Sequence, residues 1–89
     1  MKAIRVIYEG YVQGVGFRWT AKRIAQGYEV CGWVRNLSDG RVELQVSGGE
    51  EEVEAFLQAI RESSVGGHIS AERAADIEIG SPFKNFRII

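Results

Sequence analysis

The sequence predicts an α+β fold in which a mostly antiparallel sheet carries two helices on one face. Apolar residues alternate with polar ones in several short segments, as in strands with one buried face, and recur at helical spacing in two longer segments. The predicted elements follow one another as strand, helix, strand, strand, helix, strand (βαββαβ), with an extra strand at the C-terminus. This order is the split β-α-β pattern of a ferredoxin-like sandwich. The sheet face without helices is expected to be largely exposed to water.

The first strand and the first helix are predicted on either side of a glycine-rich loop. The alternating apolar residues of the strand are Ile4, Val6 and Tyr8. The apolar residues at helical spacing are Phe17, Ala21, Ile24, Ala25 and Tyr28. Gly10 ends the strand, and Gly27 is predicted to end the helix.

A hairpin is predicted in the middle of the chain. Residues 30–36 form its first strand, and residues 37–40 form the turn. Asp39 and Gly40 are predicted to supply the positive φ angles that such turns need. The returning strand contains the alternating residues Val42, Leu44 and Val46.

The second helix is predicted to begin at three consecutive glutamates, residues 50–52, because acidic residues favour a helix N-terminus. Its buried stripe is Val53, Phe56, Leu57 and Ile60. Strands are then predicted over residues 71–79 and 83–89, with a turn between them at residues 80–82.

Size and charge restrict the classes of function. The 89 residues, 45% of them apolar, predict one domain over residues 1–89 with one core. The net charge of −1 argues against a nucleic-acid partner, but residues 1–49 carry seven Lys/Arg and four Asp/Glu, so a small anion could be attracted there. One cysteine, Cys31, excludes an internal disulfide, and no apolar run reaches the length of a membrane segment. We therefore expect a cytoplasmic monomer with no membrane partner.

The loop at residues 13–18 is predicted to bind phosphate. Gly14 and Gly16 allow a sharp turn between a strand and a helix, so that backbone N–H groups at the helix start are free to bind an anion. Arg18 follows, and its planar guanidinium can bind the same anion in bidentate fashion. The complete set of predicted phosphate-binding residues is Gln13, Gly14, Val15, Gly16, Phe17 and Arg18. By itself, the glycine pair favours a plain strand-to-helix turn, with Arg18 as a solvated residue of the first helical turn.

Asn36 is the second candidate, at the end of a predicted strand and just before the hairpin turn. Its side-chain amide offers both a donor and an acceptor, so it can hold a water molecule. The alternative is that Asn36 only starts the turn, as asparagine often does.

Together, the two blocks resemble the signatures of the acylphosphatase family. The first block is Val-Gln-Gly-Val-Gly-Phe-Arg at residues 12–18, and the second runs from residue 32 to residue 48 with Asn36, Gly40 and Val42 at the expected spacing. The resemblance covers nearly the whole chain. It departs in residues 64–82, where Gly-Gly-His replaces a turn that often contains Gly-Pro, and this leaves the strand boundaries there open.

The resemblance implies an enzyme that hydrolyses acyl phosphates to a carboxylate and inorganic phosphate. By matching position, Arg18 and the amides of residues 14–18 would bind the substrate phosphate, and Asn36 would orient the attacking water. The family implies no metal or other cofactor. The partner is a small acyl phosphate, and inorganic phosphate is both product and expected competitive inhibitor.

Two other functions remain open at this point. The first is a non-catalytic anion-binding or regulatory module, since related domains occur within larger proteins such as hydrogenase maturation factors. The second is an RNA-recognition fold with the same element order, but the paired aromatics on central strands and the basic surface that it should show are not evident, and the net charge of −1 argues against it. His68 is interpreted as an exposed loop residue and Cys31 as a packing residue. Trp19 is interpreted as a surface partner of Arg23, with a wall beside the acyl group as the alternative.

Overall fold

The computed structural model describes residues 1–89 and contains five strands and two α-helices. The strands are β1 (Lys2–Gly10), β2 (Val30–Asn36), β3 (Val42–Gly48), β4 (Ile69–Asp76) and β5 (Phe86–Ile88). The helices are α1 (Phe17–Ala25) and α2 (Glu50–Glu62), and a short 3₁₀ turn, Gly66–His68, precedes β4. The predicted α+β order with an extra C-terminal strand is confirmed.

The strands form one sheet in the order β4-β1-β3-β2-β5. All neighbouring pairs are antiparallel except β2 and β5, which run parallel. The sheet is therefore mostly antiparallel, as predicted. One row of paired residues, Tyr8 with Val42 and Val42 with Asn36, crosses from β1 to β2 and fixes where the end of β2 lies.

The core lies between the sheet and the two helices. The predicted alternation in β1 and β3 and the stripe of α2 are buried, and the α2 residues are Val53, Phe56, Leu57 and Ile60. In α1 the buried residues are Phe17, Thr20, Ala21 and Ala25, whereas Ile24 only packs against the core. Tyr28, which was predicted in the same helix, lies beyond its end and also packs against the core. Burial of Thr20 was not predicted, because a hydroxyl gives no apolar signal.

The sheet face without helices is less exposed than the alternation predicts. Glu43 on this face is only 3% exposed and accepts hydrogen bonds from the guanidinium groups of Arg5 (2.6 Å) and Arg35 (2.8 Å). Burial raises the pKa of Glu43, but the hydrogen bonds from Arg5, Arg35 and Gln45 outweigh it and hold the pKa below its ordinary value. Long arginine side chains thus cover the middle of this face.

The end of α1 and the hairpin turn differ in backbone conformation from what the sequence predicts. Helix α1 ends at Ala25, and Gly27 does not adopt the left-handed conformation expected of a glycine that ends a helix. In the hairpin only Gly40 has a positive φ, of 96°, while Asp39 does not. The Gly40 N–H donates to the Leu37 carbonyl, so the turn has one left-handed residue rather than two.

The predicted C-terminal strands were wrong in their bounds. Strand β4 covers Ile69–Asp76 rather than residues 71–79, because it pairs with β1 only as far as Ile4, opposite Asp76. Strand β5 covers Phe86–Ile88 rather than residues 83–89, because only these three residues pair with β2. Pairing with another strand, rather than local pattern, sets these bounds.

Candidate active site

The glycine-rich loop turns at two glycines with positive φ. Gly14 and Gly16 have φ of 79° and 81°, and Val15 between them does not have a positive φ. A Cβ at either glycine would meet open space, so only the backbone conformation requires glycine there. Successive N–H groups of such a turn can form an anion-binding concavity.

The backbone N–H groups of residues 14–18 have no acceptor within the protein, as none of them donates in any backbone or side-chain hydrogen bond. The first helical N–H groups always lack partners inside their own helix. Here the loop adds further free amides to those of α1, and the helix dipole contributes positive potential at the same place.

Phe17 anchors the start of α1 beneath this loop. Its side chain is 2% exposed, and its ring lies 4.8 Å from that of Tyr8, centroid to centroid, at an interplanar angle of 54°. This contact fixes the first helical turn against β1. Arg18, the next residue, is half-buried and forms no ion pair with any carboxylate of the chain.

The structure brings Arg18 and Asn36 to one cavity of about 210 Å³. Asn36 of β2 is paired with Val42 of β3, and Val42 is paired with Tyr8 of β1. The ring of Tyr8 in turn contacts that of Phe17 at the start of α1. The residues that line the cavity are Val12, Gly14, Gly16, Phe17, Arg18, Trp19, Asn36 and Ile88. No carboxylate, histidine or cysteine is among them, so Arg18 is the sole charged group of the cavity.

Gln13 and Val15, which were predicted to bind phosphate, do not line this cavity. The side-chain amide of Gln13 instead donates to the carbonyl oxygens of Leu37 (2.7 Å) and Arg41 (2.9 Å). Gln13 therefore ties the loop to the hairpin that carries Asn36. Sequence reasoning missed this contact, because it joins residues that are more than twenty positions apart.

The hairpin turn beside Asn36 has its own polar contacts. The Arg41 N–H and guanidinium donate to the carboxylate of Asp39 at 3.1 and 2.8 Å. These hydrogen bonds, the backbone one foremost, hold the pKa of Asp39 below its ordinary value. The hairpin turn is thus stabilised by hydrogen bonds between its own residues Asp39 and Arg41, and by those that Gln13 of the glycine-rich loop donates to it.

Replacing Gln13 by alanine is expected to lower kcat/KM for an acyl phosphate about tenfold, because a shift of the loop relative to Asn36 misplaces the reacting groups. Loss of the two hydrogen bonds should also lower the free energy of unfolding by about 1–2 kcal/mol. Steady-state kinetics and urea unfolding measure both. Gln58→Ala, at an exposed position of α2, is the matched control. Unchanged kinetics in Gln13→Ala would contradict the positioning role.

Of the other residues considered from the sequence, His68 and Arg23 lie away from this cavity, whereas Trp19 lines it. His68 is exposed in the 3₁₀ turn, as predicted, and its ring lies 6.0 Å from that of Tyr11. Arg23 lies over the ring of Trp19 at 5.2 Å, which confirms the predicted surface pair. The cavity nevertheless includes Trp19, together with Ile88 from β5, and Ile88 was not predicted as a site residue.

A cavity with free backbone amides, one unpaired arginine and one asparagine is the kind of site that binds a phosphate-bearing ligand. The acylphosphatase family model matches residues 4–88. The acylphosphatase of Geobacillus kaustophilus is 37% identical over 89 residues, which are 100% of this chain and 95% of that protein. The acylphosphatase of Lactobacillus gasseri is also 37% identical, with 100% and 99% covered. The chain therefore belongs to the acylphosphatase family.

Solved structures agree with this assignment. The crystal structure of acylphosphatase from Bacillus subtilis has a TM-score of 0.90 and 31% identity, and the match covers 100% of this chain and 99% of that one. The chain also resembles 12% of the much larger T. kodakarensis HypF, with a TM-score of 0.87 and 32% identity. Acylphosphatase, a hydrolase, is thus supported over the non-catalytic alternative. Neither α-helix is long and apolar enough to cross a membrane.

Proposed function

We propose that residues 14–18 bind the phosphate of an acyl phosphate and that the chain hydrolyses the bond between phosphorus and the acyl oxygen. The observation that carries this proposal is the set of free N–H groups at residues 14–18, beside a cavity that also contains Arg18 and Asn36. Free amides at a helix start favour a dianion through hydrogen bonds and through the helix dipole.

Arg18 supplies the charge that balances the phosphate. Because no carboxylate of the chain pairs with it, its guanidinium is free to form two parallel hydrogen bonds to phosphate oxygens. Negative charge develops on the equatorial oxygens during phosphoryl transfer, and fixed donors stabilise it without reorganisation. Binding and acceleration thus come from the same groups.

Asn36 orients the attacking water. The water oxygen forms a bond to phosphorus as the bond from phosphorus to the acyl oxygen breaks, and the carboxylate leaves with the electron pair. The proton of the water passes to a phosphate oxygen of the substrate, because none of the lining side chains is a general base. The products are a carboxylate and dihydrogen phosphate, so charge and atoms balance. Positioning and electrostatic stabilisation suffice for such a reaction, since the carboxylate is a good leaving group.

The proposal is tested by hydrolysis of benzoyl phosphate and acetyl phosphate in the presence of EDTA. We expect turnover of both, unchanged by EDTA, with inorganic phosphate as a competitive inhibitor. Phosphate at about 100 times its Kd should also stabilise the folded state by about 2.7 kcal/mol. Phosphate binding without turnover would favour the non-catalytic anion-binding module, and turnover abolished by EDTA would contradict the metal-free reaction.

A cytoplasmic location and a monomeric state complete the proposal. The cavity is lined by residues of one chain, so a second copy is not needed to build it. Light scattering in the absence and presence of phosphate tests the monomer directly.

A further inference from the structure

The cavity that holds Arg18 and Asn36 has an apolar wall. Trp19 of α1 is 63% exposed and Ile88 of β5 is 38% exposed, and both line this cavity. The remaining apolar lining residues, Val12 and Phe17, are almost wholly buried. The apolar surface available to a ligand is therefore that of Trp19 and Ile88, which come from two different elements.

Trp19 is not part of the hydrophobic core. It lies off the buried face of α1, and most of its ring is in contact with solvent. Arg23 covers one part of the ring at 5.2 Å and lines a second, neighbouring cavity together with Lys22 and Gln26. Trp19 and Ile88 also line that second cavity, so the two side chains lie between the two cavities. Arg23 is not among the residues that line the cavity of Arg18 and Asn36 and therefore does not cover Trp19 there.

The polar and apolar parts of the cavity match the two parts of an acyl phosphate. The loop and Arg18 form the polar part, and Trp19 with Ile88 forms the apolar part. A volume of about 210 Å³ exceeds the roughly 150 Å³ that accommodates a benzene molecule in an apolar cavity, so a phosphate and part of a ring fit together in an open site of this size.

We propose that Trp19 and Ile88 bind the acyl group and make the enzyme prefer acyl phosphates with an aromatic or bulky apolar acyl group over acetyl phosphate. This inference rests on the proposed hydrolysis of acyl phosphates. An aromatic acyl group would contact the ring of Trp19 and bury apolar surface against Ile88. An acetyl group is smaller and would contact little of either side chain. The two side chains are specificity-determining residues rather than catalytic ones.

The test compares kcat/KM for benzoyl phosphate and acetyl phosphate in each variant. Trp19→Ala is expected to lower the benzoyl-to-acetyl ratio about 3- to 10-fold, chiefly through KM for benzoyl phosphate, as expected for one aromatic contact. Trp19→Phe should restore most of the ratio. Ile88→Thr, which keeps a β-branched residue in β5, should lower it about 2- to 5-fold through lost apolar contact. The control is Tyr11→Ala, which removes a 73% exposed aromatic ring outside the cavity and should leave the ratio unchanged.

The outcomes separate this inference from the proposed function. If wild type hydrolyses both substrates and Trp19→Ala and Ile88→Thr leave the ratio as it was, the apolar wall does not bind the acyl group, and only this inference falls. If wild type hydrolyses neither substrate, the proposed function falls and this inference falls with it. An equal loss of both activities would assign Trp19 to folding or phosphate binding and would also overturn its role in specificity.

Discussion

Replacement of Arg18 by alanine is expected to lower kcat/KM for benzoyl phosphate about 10³-fold, because it removes the only charged group of the cavity. The free amides of residues 14–18 stay in place, so weak phosphate binding should persist. Inhibition by inorganic phosphate should weaken together with turnover, since ground state and transition state both carry the charge that Arg18 balances. Steady-state kinetics over a range of phosphate concentrations measures both effects.

Two further variants define what Arg18 contributes. Arg18→Lys keeps the charge but loses the two-pronged hydrogen bonding, and should recover only about tenfold of the loss. Arg73→Ala removes an exposed arginine that pairs with Glu9 on the other side of the sheet, and should behave as wild type. A native circular dichroism spectrum with unchanged thermal unfolding establishes that Arg18→Ala is folded. Near-wild-type turnover in that folded variant would remove Arg18 from the mechanism.

The strands and helices next to the site could be predicted closely. Residues 30–36 were predicted as a strand and form β2, and the stripe of α2 is buried as expected. In these segments the local period of apolar residues and the pattern of packing agree, so the sequence alone suffices. Where the local period of apolar residues and the packing do not agree, the predicted bounds of the strands were wrong. Strand β5 has only three paired residues, and their bounds depend on where β2 offers free backbone groups at the sheet edge.

The residues of the polar half of the cavity could also be named from the sequence, because they are close together in the chain or match a known signature, while their roles stay predictions. The loop glycines, Arg18 and Asn36 belong to this half. Gln13 and Ile88 show what sequence reasoning cannot supply. The donors of Gln13 reach two carbonyl oxygens of a distant turn, and Ile88 enters the cavity only because β5 lies parallel to β2. Both contacts depend on tertiary structure, and neither has a sequence pattern of its own.

Replacement of Asn36 by alanine is expected to lower kcat for benzoyl phosphate about 10²- to 10³-fold, the range seen when one oriented polar group of an active site is removed. The physical reason differs from that for Arg18. Asn36 holds the water rather than the phosphate, so KM and the inhibition constant of inorganic phosphate should change little. Asn36 is exposed at the end of β2, and its removal leaves no buried group unpaired. The free energy of unfolding should therefore stay close to that of wild type.

Asn36→Asp is a second test of whether Asn36 orients the attacking water. The carboxylate has the shape of the amide but cannot donate a hydrogen bond, and its charge repels the bound phosphate at neutral pH. This variant should lose both kcat and phosphate affinity, whereas Asn36→Ala should lose kcat alone. Asn85→Ala, at an asparagine outside the cavity, should leave both constants unchanged. If Asn36→Ala instead raised KM with kcat intact, Asn36 would be a substrate-binding group, and the water would have to be held by the loop or by the substrate itself.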